Sequence, residues 1–250
     1  MQTSRRLGLF LGVIGVCFTL GLLSAILGIP GGSSPGDVPT PPLPTWTADP
    51  AGSSQTTILV LGVDSLSVSE PRLRAVWWVT FRLPGRELFL LGVPPDYRVG
   101  SGLPSLADQF HWSPQAGPGS EFMTVLHTAA PQDVQVTAAL DEVGFAALID
   151  YVGGVNLNGV PLRGDQAMAV LGLIEDDASA LLTTQSRLLE ALIAPAAAMG
   201  PSPDVSALIA LIPLHAYLSE PFSQLAARLS PLLPLDPAMV HVDLLAAPQP

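Results

Sequence analysis

Between Leu7 and Ile29 the chain runs for 23 residues without a charge, directly after Arg5 and Arg6. At about 1.5 Å rise per residue, a helix of that length reaches roughly 34 Å, enough to cross a bilayer core. The run predicts one membrane-spanning anchor over residues 7–29. Its basic end faces the cytoplasm, and everything after it lies outside. A cleaved signal peptide is the alternative, but its apolar core is shorter, about 7–15 residues. Cys17 is the only cysteine and falls inside the run, followed by Phe18, Thr19 and Leu20. It reads as a thiol buried in the anchor, and a single cysteine excludes a disulfide framework or a Cys-based zinc site.

Residues 30–55 are rich in Pro, Gly, Ser and Thr, with the run Pro-Thr-Pro-Pro-Leu-Pro ending at Pro44. Such a segment buries no core and acts as a semi-stiff spacer. All 21 acidic residues and eight of the ten arginines lie beyond the anchor, and the chain has no lysine. The outer part therefore carries about -13, which suits an extracytoplasmic place and argues against nucleic acid as a partner.

From residue 56 to 250 the pattern becomes that of a folded domain. With 26 prolines and 23 glycines in the chain, its elements must be short or punctuated. Thr57–Val63, Ala75–Phe81 and Glu87–Val93 are nearly continuous apolar runs, as strands buried on both faces read. Pro84-Gly85 predicts a hairpin between the second and third. Trp77 and Trp78 are adjacent and point to opposite faces, so both faces of that strand are covered. Helices are expected over 120–130, 141–151, 163–173, 183–199, 204–211 and 221–229. Gly153-Gly154 closes the second of these, and Pro195 ends or kinks the fourth. Strands are expected at 134–140, 155–157 and 239–245. Alternating strands and helices predict an α/β fold, a three-layer α/β/α domain around a central mixed sheet.

Motif by motif, the chemistry is sparse. There is no nucleophile elbow, P-loop, dinucleotide-binding glycine pattern or His-Glu-x-x-His. His111, His127, His215 and His241 show no ligand spacing and read as surface or half-buried residues. Glu175-Asp176-Asp177 reads as a solvated loop, with divalent-cation binding as the alternative.

The order of segments nevertheless resembles one family. Ile58-Leu-Val-Leu-Gly-Val-Asp64-Ser65, then Arg72, then Gly92-Val-Pro-Pro-Asp96 resembles the "LLLGxDSR…RxD…SIPRD" opening of a LytR-CpsA-Psr domain. Gly144-Phe145 with Tyr151-Val-Gly-Gly-Val155 resembles its "GF…LVDALGGVDV" stretch. Leu162-Arg-Gly-Asp-Gln-Ala167-Met168 resembles "LxGxqAL", and Gln185 with Leu189-Glu-Ala-Leu-Ile193 resembles "RQ…vleAL". The resemblance covers about residue 56 to the end, and an N-terminal membrane anchor is usual in the family. It implies an extracytoplasmic protein that moves a glycopolymer from a polyprenyl pyrophosphate carrier onto the cell wall, usually with Mg²⁺. It assigns Arg72, Asp96 and Gln185 to catalysis and Asp64 to the metal. Arg74 and Arg98 are candidates for substrate binding.

The departures fall on the charged positions. Arg74 stands where the family has the aspartate of "RxD", Pro95 where it has the arginine of "PRD", and Thr184 where an arginine precedes the glutamine. Gly172-Leu173-Ile174 replaces an arginine-rich segment. A pyrophosphate needs several guanidinium forks and a carboxylate-held metal. The favoured reading is therefore a degenerate member that binds a polyprenyl-phosphate lipid or an envelope partner such as peptidoglycan, with little or no catalysis. A divergent phosphotransferase and a non-catalytic scaffold with a closed pocket are the alternatives. An apolar tunnel left open by Trp77, Trp78 and Phe89, with Asp64, Arg72 and Asp96 at its mouth, would favour the first two.

Overall fold

A computed structural model of the chain describes residues 54–245, apart from 101, 131, 200–208 and 211. The expected anchor over 7–29, nearly all of the spacer and most of the helix at 204–211 lie outside the described residues. Among the described residues no helix is long and apolar enough to cross a membrane.

Six strands make one mixed sheet. β1 (Ser54–Val63), β2 (Leu73–Leu83) and β3 (Glu87–Val93) are joined in antiparallel order. β6 (Val136–Asp141) lies parallel to β1 on its other side, and β10 (Val240–Leu244) lies parallel to β3. The three-residue β9 (Ala216–Leu218) closes the edge beside β6. β1 and β2 are central and buried over most of their length, which is why they carry unbroken apolar runs instead of alternation. The expected hairpin is present, with Arg82 opposite Glu87.

Both faces of the sheet are covered. On one, Trp77 packs in a core with Leu148 of α2 (Glu142–Tyr151), Leu189 and Ile193 of α4 (Ala178–Ala198) and Leu225 of α6 (Phe222–Leu229). On the other, Trp78 packs with Phe110 and with Phe122 and Leu126 of α1 (Ser120–Ala129). The adjacent tryptophans thus anchor two separate cores, as strand geometry requires. A third, smaller core joins α2, α3 (Gly164–Gly172) and α4 through Ile149, Ala167 and Leu192.

Several boundaries differ from the sequence expectation. α4 begins at Ala178, five residues earlier than expected, because the Asp177 carboxylate caps it by accepting from the amides of Ser179 and Ala180. It runs through Pro195 to Ala198. β1 begins at Ser54, inside the expected spacer. Four short strands had no periodic signal: β4 (Trp112–Ser113), β5 (Gly117–Pro118), β8 (Val160–Leu162) and β9. Two or three residues are too few to show alternation. α5 (Ile212–His215) leads directly into β9.

Candidate functional site

At the C-terminal ends of β1 and β6 the sheet opens into a cavity of about 310 Å³. Its floor is the end of β1, Gly62 to Asp64, and the start of β2 with Ala75 and Trp77. Phe145 of α2, Met168 and Leu171 of α3, and Leu181 and Leu189 of α4 form apolar walls. Trp77 lines this space without filling it. Trp78 belongs to the opposite face, and Phe89 is not among the lining residues.

The charged groups stand at one end, and a β-bulge sets their arrangement. In the β1–β2 ladder Gly62 pairs with Ala75 but Val63 pairs with Leu73, so Arg74 is an extra residue with no partner on β1. A bulge of this kind re-aims one side chain and frees one backbone carbonyl. Arg74 accordingly turns into the cavity, and Leu73 and Ala75 lie in different cores although they are two residues apart. The freed Arg74 carbonyl accepts from Nε2 of Gln185 on α4 at 2.9 Å. The Arg74 guanidinium meets the Glu175 carboxylate, from the loop between α3 and α4, at 2.6 Å.

Asp64, at the end of β1, is held by backbone. Its Oδ1 accepts from the amides of Ser65 at 2.7 Å and Arg72 at 2.8 Å. Asp141, at the end of β6 beside Val63, is buried and caps α2. Its Oδ1 accepts from the Gly144 amide at 2.9 Å. Its Oδ2 lies 3.0 Å from His215 Nδ1 and accepts from the Leu66 amide at 3.4 Å. Glu142 follows, and its side chain lines the same cavity.

The sequence candidates therefore divide. Asp64, Arg74 and Gln185 line the cavity; Arg72, Asp96 and Arg98 do not. The Arg72 side chain is exposed, and only its amide reaches Asp64. Asp96 is exposed in the turn after β3. Arg98 donates to the Leu103 carbonyl and lies 3.7 Å from Asp108, so it braces its own loop. Sequence reasoning missed Asp141, Glu142, Phe145 and Met168 as cavity residues, and His215 as the partner of Asp141. The only available signal was the helix start at Asp141. Glu175 was read as loop and is an ion-pair partner.

The set is unbalanced electrostatically. Among the described residues that line the cavity, Asp64, Asp141, Glu142 and Glu175 share it with one arginine, Arg74. Burial pushes the Glu142 carboxyl above its usual range. Arg74 opposes that shift, and Asp64, Glu175 and Asp141 add to it. A carboxyl raised on folding contributes stability that is fully present below its unfolded value and is lost as pH rises through the folded one. Glu142→Gln is therefore expected to raise the melting temperature at pH 7. In paired thermal melts the gain should shrink to nothing below about pH 4. A variant less stable than wild type at pH 7 would contradict this account.

The Mg²⁺ implied by the resemblance does not fit these residues. One oxygen of Asp64, Oδ1, is already engaged by two amides, and Arg74 stands where the resemblance implies a second carboxylate. Among the described residues no group of three or more His, Cys, Asp or Glu side chains converges as metal ligands.

No family model and no curated protein matches the chain by sequence. Solved structures do match by fold. A "LytR-Csp2A-Psr enzyme from Actinomyces oris" superposes with a TM-score of 0.58 at 18% identity, over 76% of this chain and 80% of that one. A transcriptional regulator yvhJ from Bacillus subtilis gives 0.58 at 16% identity, over 77% and 82%. "TagT bound to LIIa-WTA" gives 0.57 at 16% identity, over 76% and 78%. At these identities what is shared is the architecture, and the described part of this chain has the LytR-CpsA-Psr fold.

Proposed function

We propose that this chain is a cell-envelope protein of LytR-CpsA-Psr type. Residues 7–29 hold it in the membrane, with its folded domain outside. Its cavity takes the apolar chain of a polyprenyl-phosphate lipid, and it performs little or no phosphotransfer. The observation that carries this reading is the contrast between the two parts of the site. The apolar wall encloses open space, while among the described lining residues the only arginine, Arg74, is already paired with Glu175. Removing even one well-placed cation facing a transferring phosphoryl group costs orders of magnitude in rate. The similarity to "TagT bound to LIIa-WTA" supports a polyprenyl-linked glycopolymer as the class of partner.

Native mass spectrometry of the full chain, purified from a bacterial membrane in a mild detergent, tests the reading. A retained polyprenyl phosphate is the expected result. A bare protein mass that stays unchanged when polyprenyl phosphate is added would leave only an envelope scaffold. Turnover of a lipid-linked glycopolymer, lost in Arg74→Ala, would instead restore the phosphotransferase.

A further inference from the structure

Among the described residues the cavity's one arginine, Arg74, is a built feature of the backbone. Arg74 enters because a bulge displaces it from the β1–β2 ladder, and that displacement is held from the far wall by Gln185. Gln185 is only 7% exposed. The guanidinium then lies in one cavity with Asp64, Asp141, Glu142 and Glu175 and reaches Glu175 at 2.6 Å. Four carboxylates lining one cavity set up a negative potential that draws small cations unless a positive group stands among them. A fixed guanidinium changes that, because it supplies positive charge and repels a second cation placed beside it.

We infer that the Arg74 guanidinium is the resident cation of this cavity, standing in place of a divalent ion, so that the site takes its ligand without metal. The part concerning the ligand rests on the lipid reading above; the part concerning the cation does not. Glu175 is the exchangeable member. Its side chain is 45% exposed on a loop, so a ligand's phosphate head can replace its carboxylate on Arg74 while Glu175 turns to water.

The test uses the full chain in a neutral detergent, with Mn²⁺ as the ion and its free paramagnetic resonance signal as the readout. Wild type is expected to leave Mn²⁺ free. Arg74→Asp, which removes the guanidinium and adds a carboxylate, is expected to bind Mn²⁺ at least about tenfold more tightly. Arg74→Gln, of similar length and neutral, should gain in the same direction by less. Glu175→Gln keeps the guanidinium and should gain nothing. Thermal melts identify any variant that has failed to fold, and the two Arg74 variants do so independently. Wild type binding Mn²⁺ as tightly as Arg74→Asp would overturn the assignment, as would folded Arg74→Asp and Arg74→Gln without any gain.

Farnesyl phosphate titrated into wild type supplies the second arm. Equal affinity in EDTA and in Mg²⁺ is expected, and a Mg²⁺-dependent rise in affinity would overturn the metal-free site. Absence of binding in both buffers would overturn the lipid reading, while the Mn²⁺ arm still decides the cation assignment.

Discussion

Alanine at Trp77 is expected to lower the unfolding free energy by about 3–5 kcal/mol, the usual cost of emptying an aromatic site in a packed core. Trp77 is buried in the larger core, and its ring edge lies against Gly92 of β3, where an added Cβ would sit 2.7 Å from the ring. The site has little means of collapsing, because one side is sheet backbone and the other is already an open cavity. Trp78→Ala makes a matched control. It removes an equally buried indole from the opposite core and is expected to cost a similar amount. Only the Trp77 variant should alter the lipid retained in native mass spectra, because only Trp77 lines the cavity. Urea denaturation measures the stability of both variants. A loss below about 1 kcal/mol at Trp77 would mean that the cavity walls close over the gap.

Gly164→Ala is expected to cost at least about 3 kcal/mol, against the ordinary preference of a helix for alanine over glycine. The reversal is steric. A Cβ at Gly164 would lie 2.0 Å from the Ala146 carbonyl oxygen of α2 and 2.6 Å from its carbon. Both are backbone atoms of a hydrogen-bonded helix, so neither can rotate aside. The Gly164 amide also donates to Asp150 Oδ1 at 3.0 Å, which ties the start of α3 to α2. Separating the two helices would move Phe145 and Met168, which both line the cavity. Thermal unfolding of the variant checks this. An unchanged or higher melting temperature would show that α2 and α3 can part without cost.

That glycine shows how a local pattern can be readable before its cause is known. Leu162-Arg-Gly-Asp-Gln-Ala167 is visible in the chain as a family-like segment, and the structure explains its small residues. Gly164 touches the backbone of α2, and Ala167 is wholly buried among α2, α3 and α4. Gly153 and Gly154 are a similar case. They were expected to stop a helix, and both have positive φ, 92° and 97°, which glycine adopts at little cost. The early start of α4 was also recoverable, since Asp177 before Ala-Ser-Ala is an N-cap signal.

The site was far less legible. Asp64, Arg72, Asp96 and Gln185 were all named from the resemblance, yet only Asp64 and Gln185 line the cavity, and Arg98, a separate candidate for substrate binding, does not. Arg98 is two residues past Asp96 and turns instead to Leu103 and Asp108 in its own loop. His215 carries no motif at all. It meets Asp141 because α5 delivers the chain to the edge strand β9 beside β6.

The amino-acid sequence by itself determined the mixed α/β class, the three principal strands, the hairpin and the division of Trp77 and Trp78 between two faces. Each of these follows from alternation, apolar run length or turn chemistry, which neighbouring residues carry among themselves. Only the tertiary structure decided that Arg74 leaves its strand register and stands among four cavity carboxylates. Its partners come from distant segments: Gln185 lies 111 positions along the chain, and Glu175 sits in a loop between two helices. A charge balance is a sum over groups brought together by packing, and no local period in a sequence records it.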